Sequence, residues 1–325
     1  MQIAVTGASG RIGNVLVREL INQGYRVRIL QRRPHPALEN LDLERINGDL
    51  LDASCLDRLL EGCQVVFHLA ARVSIHGGHH GEVERINLDG TRMLFEAALR
   101  QGIERFIHFA SIHAFAPADQ AKSLDEDWPL GLHSPVAYNR SKARALHHLI
   151  EKKTPIQVIG LCPTAVIGPG DYAPSYTGQM LIKLHQGKIP LLVPGGYDWV
   201  DVRDVVAASM KAIHLKNPKQ LYLLSGHYAT LLQLCREIEN CTGRRMPITV
   251  IPGWLVKLGL PFVAAYASLT GNEPLYTLEA LQALEEGSRN ISSARASNEL
   301  GFHPRPLRQT LIESYQWFNQ HGYLH

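Results

Sequence analysis

Cysteine is sparse and carries no pattern. The five residues Cys55, Cys63, Cys162, Cys235 and Cys241 form no CxxC pair and no metal-ligand spacing. That excludes a disulfide scaffold or a cysteine-built zinc site and predicts reduced thiols in a cytoplasmic protein. An excess of one charge is missing too: the net charge is +3 over 325 residues. Lys and Arg are scattered rather than run together, so nothing points to nucleic acid. Nor is there a clean membrane span. The one candidate, GWLVKLGLPFVAAYASLTG from Gly253 to Gly271, is interrupted by Lys257, Gly259 and Pro261 and is short for the ~20 apolar residues a span needs. It reads as a buried or substrate-facing helix, with peripheral membrane contact as the alternative. The opening MQIAVTGASG already reads as a strand and turn, which predicts no targeting segment. Internal repeats and low-complexity tracts are absent.

What is present is alternation. Short β-branched runs (QIAVTG, YRVRILQ, VVFHLAA, RFIHFAS, PIQVIGLCP) are separated by amphipathic stretches of ten or more residues. That pattern predicts βαβ units and an α/β Rossmann-type doubly wound parallel sheet, with ligands at the carboxyl ends of its strands. The regularity breaks near Pro169 into GPGDYAPSYTG and VPGGYDW. DVRDVVAASMKAIHL and QLYLLSG then read as a helix and strand that return to the sheet. The expected division is a nucleotide-binding domain over 1–170, rejoined by 200–225. A smaller, mostly helical substrate region would take 171–199 and 226–325.

The first strand runs into Thr6-Gly7-Ala8-Ser9-Gly10-Arg11-Ile12-Gly13, a GxxGxxG turn that opens a helix. Glycines let the chain turn tightly and approach a pyrophosphate at the positive helix N-terminus. Gly7, Ser9, Gly10, Arg11, Ile12 and Gly13 are therefore the expected phosphate cradle. About twenty residues on, an NAD-binder places an acid on the ribose 2′-hydroxyl. Here stands Gln31-Arg32-Arg33, with no carboxylate. Two guanidiniums suit a 2′-phosphate, so NADP is the expected cofactor, NAD the alternative, and Arg11 a candidate helper.

Tyr138-Asn139-Arg140-Ser141-Lys142 opens a helical stretch, and residues four apart share a helix face. A lysine held there favours ionisation of a phenol whose ordinary pKa is ~10. Hydride arriving at a carbonyl carbon creates an alkoxide, which needs a proton donor and a fixed hydrogen bond.

TGASGRIG, Gly48-Asp49-Leu50, His68-Leu69-Ala70-Ala71, Asn87, FAS with Ser111, and YNRSK fall in order along the chain. Together they resemble the extended short-chain dehydrogenase/reductases of the NAD-dependent epimerase/dehydratase superfamily. CPTAVIGPGDYAPS and GGYDWVDVRDV are closer to the dihydroflavonol-reductase-like branch, which also resembles 3β-hydroxysteroid dehydrogenases. The resemblance implies that Tyr138 is the acid/base, that Lys142 lowers its pKa and holds the nicotinamide ribose, and that Ser111 binds the substrate oxygen. It also implies Asp49 and Leu50 at the adenine, Leu69, Ala70 and Ala71 along the pyrophosphate and ribose, and Pro163 and Thr164 by the nicotinamide. Asn87 would organise the site, and a homodimer would pair the helices around 82–101 and 136–152.

Two departures weaken a nucleotide-sugar substrate. Ala165-Val166-Ile167-Gly168-Pro169 replaces the Asn-Val-Tyr-Gly-Pro of sugar-nucleotide epimerases, and Tyr197 stands where they carry an arginine for the diphosphate. A smaller, less charged carbonyl or hydroxyl compound fits better; the alternative is a sugar epimerase or dehydratase with tightly held NAD. A nucleotide-sensing protein without turnover would have no use for Ser111, Tyr138 and Lys142. His113, Tyr172, Tyr176 and Trp199 are candidate substrate contacts, with core packing the competing reading. Asp201, Arg203 and Asp204 either face the cleft or cap the next helix. His76, His79 and His80 form a glycine-rich loop, and no metal is expected there.

Overall fold

The computed structural model describes residues 1–74, 77–117, 122–256, 284 and 290–324. Seven parallel strands form the main sheet in the order β3-β2-β1-β4-β5-β6-β9. They are β1 (Gln2–Thr6), β2 (Arg26–Gln31), β3 (Glu44–Asn47), β4 (Val65–His68), β5 (Arg105–Phe109), β6 (Gln157–Pro163) and β9 (Leu221–Leu224). The order reverses between β1 and β4, the topological switch point at which open α/β sheets bind ligands.

Period-two alternation explains the layering. Ile3, Val5, Phe67, Ile107, Phe109, Ile159 and Leu161 enter one core, while Ala4, Val66, Phe106 and Val158 enter the core on the opposite face. The first core is covered by α1 (Arg11–Asn22) and α7 (Val202–Ala212), which pack on each other. The second is covered by α2 (Ala53–Leu60), α4 (Gly90–Arg100) and α5 (Ala137–Glu151). Helix α1 buries Gly13, Leu16, Val17 and Leu20, the i, i+3, i+4, i+7 stripe of an amphipathic helix. The single turn α3 (Glu82–Glu84) runs through a π-helical stretch, Arg85–Asp89, into α4.

The smaller region has a core of its own. A three-stranded sheet, ordered β10-β8-β7, joins β7 (Ala165–Ile167), β8 (Gly196–Asp201) and β10 (His227–Thr230). Around Trp199 it packs against α6 (Tyr176–His185), α8 (Leu231–Thr242) and α10 (Leu307–Gln320). The short α9 (Ala294–Leu300) lies on β9 and α7. The Gly/Pro-rich sequence announces helices there but not this sheet, whose strands come from distant segments. Of the membrane-like stretch, Lys257 to Gly271 lie outside the described residues. At its start Trp254 and Leu255 are exposed and Val256 packs against the core around Trp199, and no described helix is long and apolar enough to cross a membrane.

The smaller region is moored to α1 by polar side chains. Arg11 forms an ion pair with Asp171, and both side chains are buried. The same guanidinium donates to the Val166 carbonyl and, at 2.8 Å, to Thr177 Oγ1. Asn14 Nδ2 donates to the Gly170 carbonyl at 2.8 Å. Gly178 leaves the room this requires: a Cβ there would lie 2.0 Å from Asp171 Oδ2.

Removing one partner of a buried pair strands the other charge, at a cost of about 3–5 kcal/mol. Asp171→Ala is expected to lose that much stability in urea unfolding, and Arg11→Leu/Asp171→Leu to recover part of it. A loss below about 1 kcal/mol for Asp171→Ala would show that the pair does not hold the two regions together.

Candidate active site

The carboxyl ends of β1, β4 and β5 and the start of α5 converge on one cleft. Gly7 has φ +71°, and a Cβ on it would lie 2.5 Å from the Ala70 nitrogen, so the turn after β1 presses directly against the end of β4. Helix α1 starts at Gly10 with no side-chain cap. Its first-turn N–H groups are therefore left for a ligand, and a helix N-terminus is suited to an anion. Leu69, Ala70 and Ala71 are partly exposed beside this turn, and Ser9 and Ile12 are half-buried within it. The uncapped, side-chain-free cradle fits a dinucleotide pyrophosphate.

Farther out, at the end of β2, Arg32 and Arg33 are exposed and engaged by none of the described residues. Arg11 behaves differently from the expectation. Its guanidinium is held by Asp171, Val166 and Thr177, which removes it from any 2′-phosphate. Asp49 caps a turn by accepting from the Leu51 N–H at 3.0 Å, and Leu50 is buried beneath it.

Ser111 and Tyr138 are neighbours in the cleft, and Lys142 follows one turn after Tyr138 on α5. Ser111 follows β5 and is nearly buried, and its hydroxyl lies close enough to the phenol of Tyr138, in the first turn of α5, to act on it. Ser111 Oγ also accepts from the His113 N–H at 3.2 Å, which fixes its rotamer. One turn on, Lys142 Nζ donates to the Phe109 carbonyl at 2.8 Å. Burial brings the Lys142 ammonium down to about 8, opposed by the nearby Cys162. Burial also pushes the Tyr138 phenol up from its usual value, with the Ser111 hydroxyl working the other way. This shift opposes the lowering expected of a Tyr/Lys pair, because apolar surroundings outweigh an ammonium directed at the end of β5.

Behind these groups runs a buried polar thread, of which the sequence singled out only Asn87. Burial holds the His68 imidazole at about 3, so the ring is neutral and carries one proton. Thr91 Oγ1 donates to the Asn87 carbonyl at 2.6 Å and so accepts from His68 Nε2 at 2.8 Å. His68 Nδ1 is then the acceptor for Thr6 Oγ1 at 2.7 Å, and Thr6 Oγ1 accepts from the Ala70 N–H at 3.3 Å. Asn87, in the π-helical turn, exchanges bonds with both backbone groups of Arg72 at 2.7 and 3.0 Å. It donates to Ser141 Oγ at 2.9 Å, and Ser141 donates to the Tyr138 carbonyl at 2.7 Å. Two runs of donors, one from the Ala70 N–H to the Asn87 carbonyl and one from the Asn87 amide to the Tyr138 carbonyl, thus meet at Asn87 and link the end of β4 to the start of α5.

The other candidates divide. His113 is half-buried with its ring centroid 6.2 Å from that of Tyr138, where it faces the cleft. Trp199 is 1% exposed and donates to the Ala229 carbonyl at 3.2 Å. It is core, not a substrate contact. Tyr172 is built into an aromatic group with Trp317 and His321, at 5.1 and 5.5 Å between centroids, over Arg18; this packing takes it out of the cleft wall. Pro163 and Thr164 close β6, and the Thr164 hydroxyl donates to Asp198 at 2.6 Å. Asp198, which sequence reasoning missed, also accepts from Ser225 and from the Gly226 N–H. Asp201 caps α7 and pairs with Arg203, and Asp204 pairs with Arg305, so these groups are structural. Tyr176 opens α6. His79 and His80 are exposed in left-handed backbone, and His76 lies outside the described residues. Among the described residues no cluster of His, Cys, Asp or Glu is arranged for a metal.

The model for the NAD-dependent epimerase/dehydratase family matches residues 3–223. The chain belongs to that family. Sterol demethylase protein B of Methylococcus capsulatus is 34% identical over 99% of this chain and 99% of its own length. A putative dihydroflavonol 4-reductase of Synechocystis sp. is 29% identical over 98% of this chain and 95% of its own. The crystal structure of gox2253 superposes with a TM-score of 0.85 at 30% identity, covering 100% of this chain and 99% of that one. The protein is accordingly an NAD(P)-dependent enzyme of the extended short-chain dehydrogenase/reductase type, with oxidoreductase- or epimerase-type activity.

The lysine gives a test in two parts. Its folded-state pKa lies below its unfolded value of about 10.5, so between those values the unfolded chain binds more protons and stability rises with pH. Lys142→Met lacks this dependence. The stability difference between the two proteins is expected to move in favour of the wild type as pH rises from 8 to 10.5, while the variant loses turnover at every pH. A flat difference would mean that Lys142 is solvated.

Proposed function

We propose that this enzyme is an NADP-dependent oxidoreductase acting on the carbonyl or hydroxyl group of a small, largely apolar metabolite. The observation that carries the cofactor choice is the pair Arg32 and Arg33, exposed and unengaged at the end of β2, where an acid would select the bare ribose. On the substrate side, Tyr197 takes the place of a diphosphate-binding arginine and packs edge-on against Trp199, 5.4 Å between centroids. Relatives named for a sterol and for a dihydroflavonol are in keeping with an apolar substrate.

When bound, the nicotinamide supplies or takes up the hydride. The chain's own groups do the rest. Tyr138 delivers its proton to the substrate oxygen during reduction and withdraws it during oxidation. Ser111 donates a hydrogen bond to that oxygen, stabilising the charge that develops there. Lys142 keeps one N–H on the Phe109 carbonyl and turns the others toward the nicotinamide ribose hydroxyls. The chain works in the cytoplasm on this reading, as a homodimer through α4 and α5; a single-chain mass in light scattering would overturn that assembly.

Fluorescence titration is expected to give tighter binding of NADPH than of NADH. Hydrogen bonds to a charged group are worth about 1.5–3 kcal/mol. Arg32→Ala/Arg33→Ala should therefore weaken NADPH roughly 10–100-fold and leave NADH nearly unchanged. NAD that co-purifies and survives dialysis would replace this reading with an epimerase or dehydratase that retains its cofactor. Tyr138→Phe should bind nucleotide normally and lose on the order of 100-fold or more in kcat; full turnover in that variant would remove Tyr138 from the chemistry.

A further inference from the structure

Most of the described large apolar side chains left in water lie on one patch of the smaller region, far along the sequence from Ser111, Tyr138 and Lys142. They are Leu191, Ile248, Val250, Trp254 and Leu255, with Ile248 66% and Trp254 63% exposed. The backbone joins them. Leu192 donates to the Thr249 carbonyl at 2.9 Å, the Ile251 N–H donates to the Leu192 carbonyl at 2.9 Å, and Leu255 donates to the Pro252 carbonyl at 3.0 Å. Leu192, Val193 and Met246 point inward to the core around Trp199, and Val256 packs against it. Their neighbours therefore face outward: the inner side chains moor the segment and the outer ones are exposed.

Along the two stretches that pair here the charge has one sign, and the acid just before the second of them, Glu239 on α8, accepts from the Met246 N–H at 3.3 Å. No Asp or Glu occurs from 172 to 197 or from 240 to 256, the two stretches that pair here. They carry Lys183, Lys188, Arg244 and Arg245, of which Lys188, Arg244 and Arg245 are exposed. Arg244 lies close enough to His185, at the end of α6, to act on its charge. The chain as a whole is nearly neutral, with 33 basic and 30 acidic residues, so the lack of carboxylates along these two stretches is local and not a matter of composition.

We propose that this patch, Leu191, Ile248, Val250, Trp254 and Leu255 rimmed by Lys188, Arg244 and Arg245, docks the enzyme onto an anionic lipid surface. A protein partner would ordinarily be met by mixed charges and buried hydrogen-bonding groups. Segments that present apolar tips, one exposed indole and cations, and that carry no acid of their own, have instead the chemistry of the bilayer interface. There indoles settle at headgroup level, aliphatic tips enter the acyl boundary, and Lys and Arg meet lipid phosphates. Each cation near such a surface contributes roughly fivefold in partitioning. The attachment is peripheral, since none of the described helices spans a membrane. It does not depend on which nicotinamide cofactor or which carbonyl the active site accepts.

The test is flotation of the full chain with vesicles of 30:70 phosphatidylglycerol/phosphatidylcholine, compared with phosphatidylcholine alone, at low and high salt. Binding is expected to the anionic vesicles at low salt, at least tenfold weaker on neutral vesicles, and lost at high salt as the charges are screened. Arg244→Glu/Arg245→Glu and, separately, Trp254→Ser/Leu255→Ser should each reduce binding at least tenfold while keeping the wild-type midpoint of thermal unfolding, which reports an intact fold. Brominated lipid should quench the fluorescence that Trp254→Phe removes. Failure to float with anionic vesicles at low salt overturns the proposal. So does a two-chain mass in light scattering that Trp254→Ser/Leu255→Ser converts to one, since the patch would then be an interface between copies.

Discussion

The active site rests on a single buried thread of hydrogen bonds, from the Ala70 N–H through Thr6, His68, Thr91, Asn87 and Ser141 to the Tyr138 carbonyl. From Thr6 to Asn87 each link points one way because Thr91 has only one proton to give and the buried imidazole only one to hold, and from Asn87 onward because an amide donates and the Tyr138 carbonyl accepts. In a medium of low dielectric such a chain strengthens itself when complete and is costly when any member is left unpaired. It ties the segment after β4, the strand beside the glycine turn, to the helix that carries Tyr138 and Lys142. The π-helical turn at Asn87 has its place here: it brings an amide that would otherwise lie along the helix to the bend where β4, α4 and α5 meet.

The sheet supplies the frame for this thread. Strands buried on both faces leave their side chains in two cores, so the polar groups collect at the carboxyl ends, where the chain leaves the sheet. Ser111 comes from β5 and Tyr138 from α5, and the ammonium of Lys142 bonds back to the last residue of β5. That bond ties helix to strand across the site and explains why so deeply placed a cation is tolerated: it has a carbonyl partner, though burial lowers its proton affinity.

Much of this was legible in the sequence because it is local. A glycine turn between a strand and a helix, a tyrosine four residues before a lysine, and hydrophobic runs of period two all have meaning within a dozen residues. What stayed hidden depends on distant segments. Trp199 looked like a cleft wall until the pairing of β8 with β10 placed its indole under Ala229. Arg11 lay within the phosphate motif, and nothing nearby reveals that Asp171 claims it. Asp198 and His68 take their meaning from partners 27 and 62 residues away, separations at which spacing carries no signal.

The mooring of the smaller region on α1 bears on how such a protein diversifies. Two of its links, from Arg11 to Val166 and from Asn14 to Gly170, end on main-chain carbonyls, which no point mutation deletes. Side chains between and beyond those carbonyls can therefore drift without loosening the attachment. The larger sheet can stay as it is while the smaller region's surface is rewritten through many small neutral steps instead of one disruptive one.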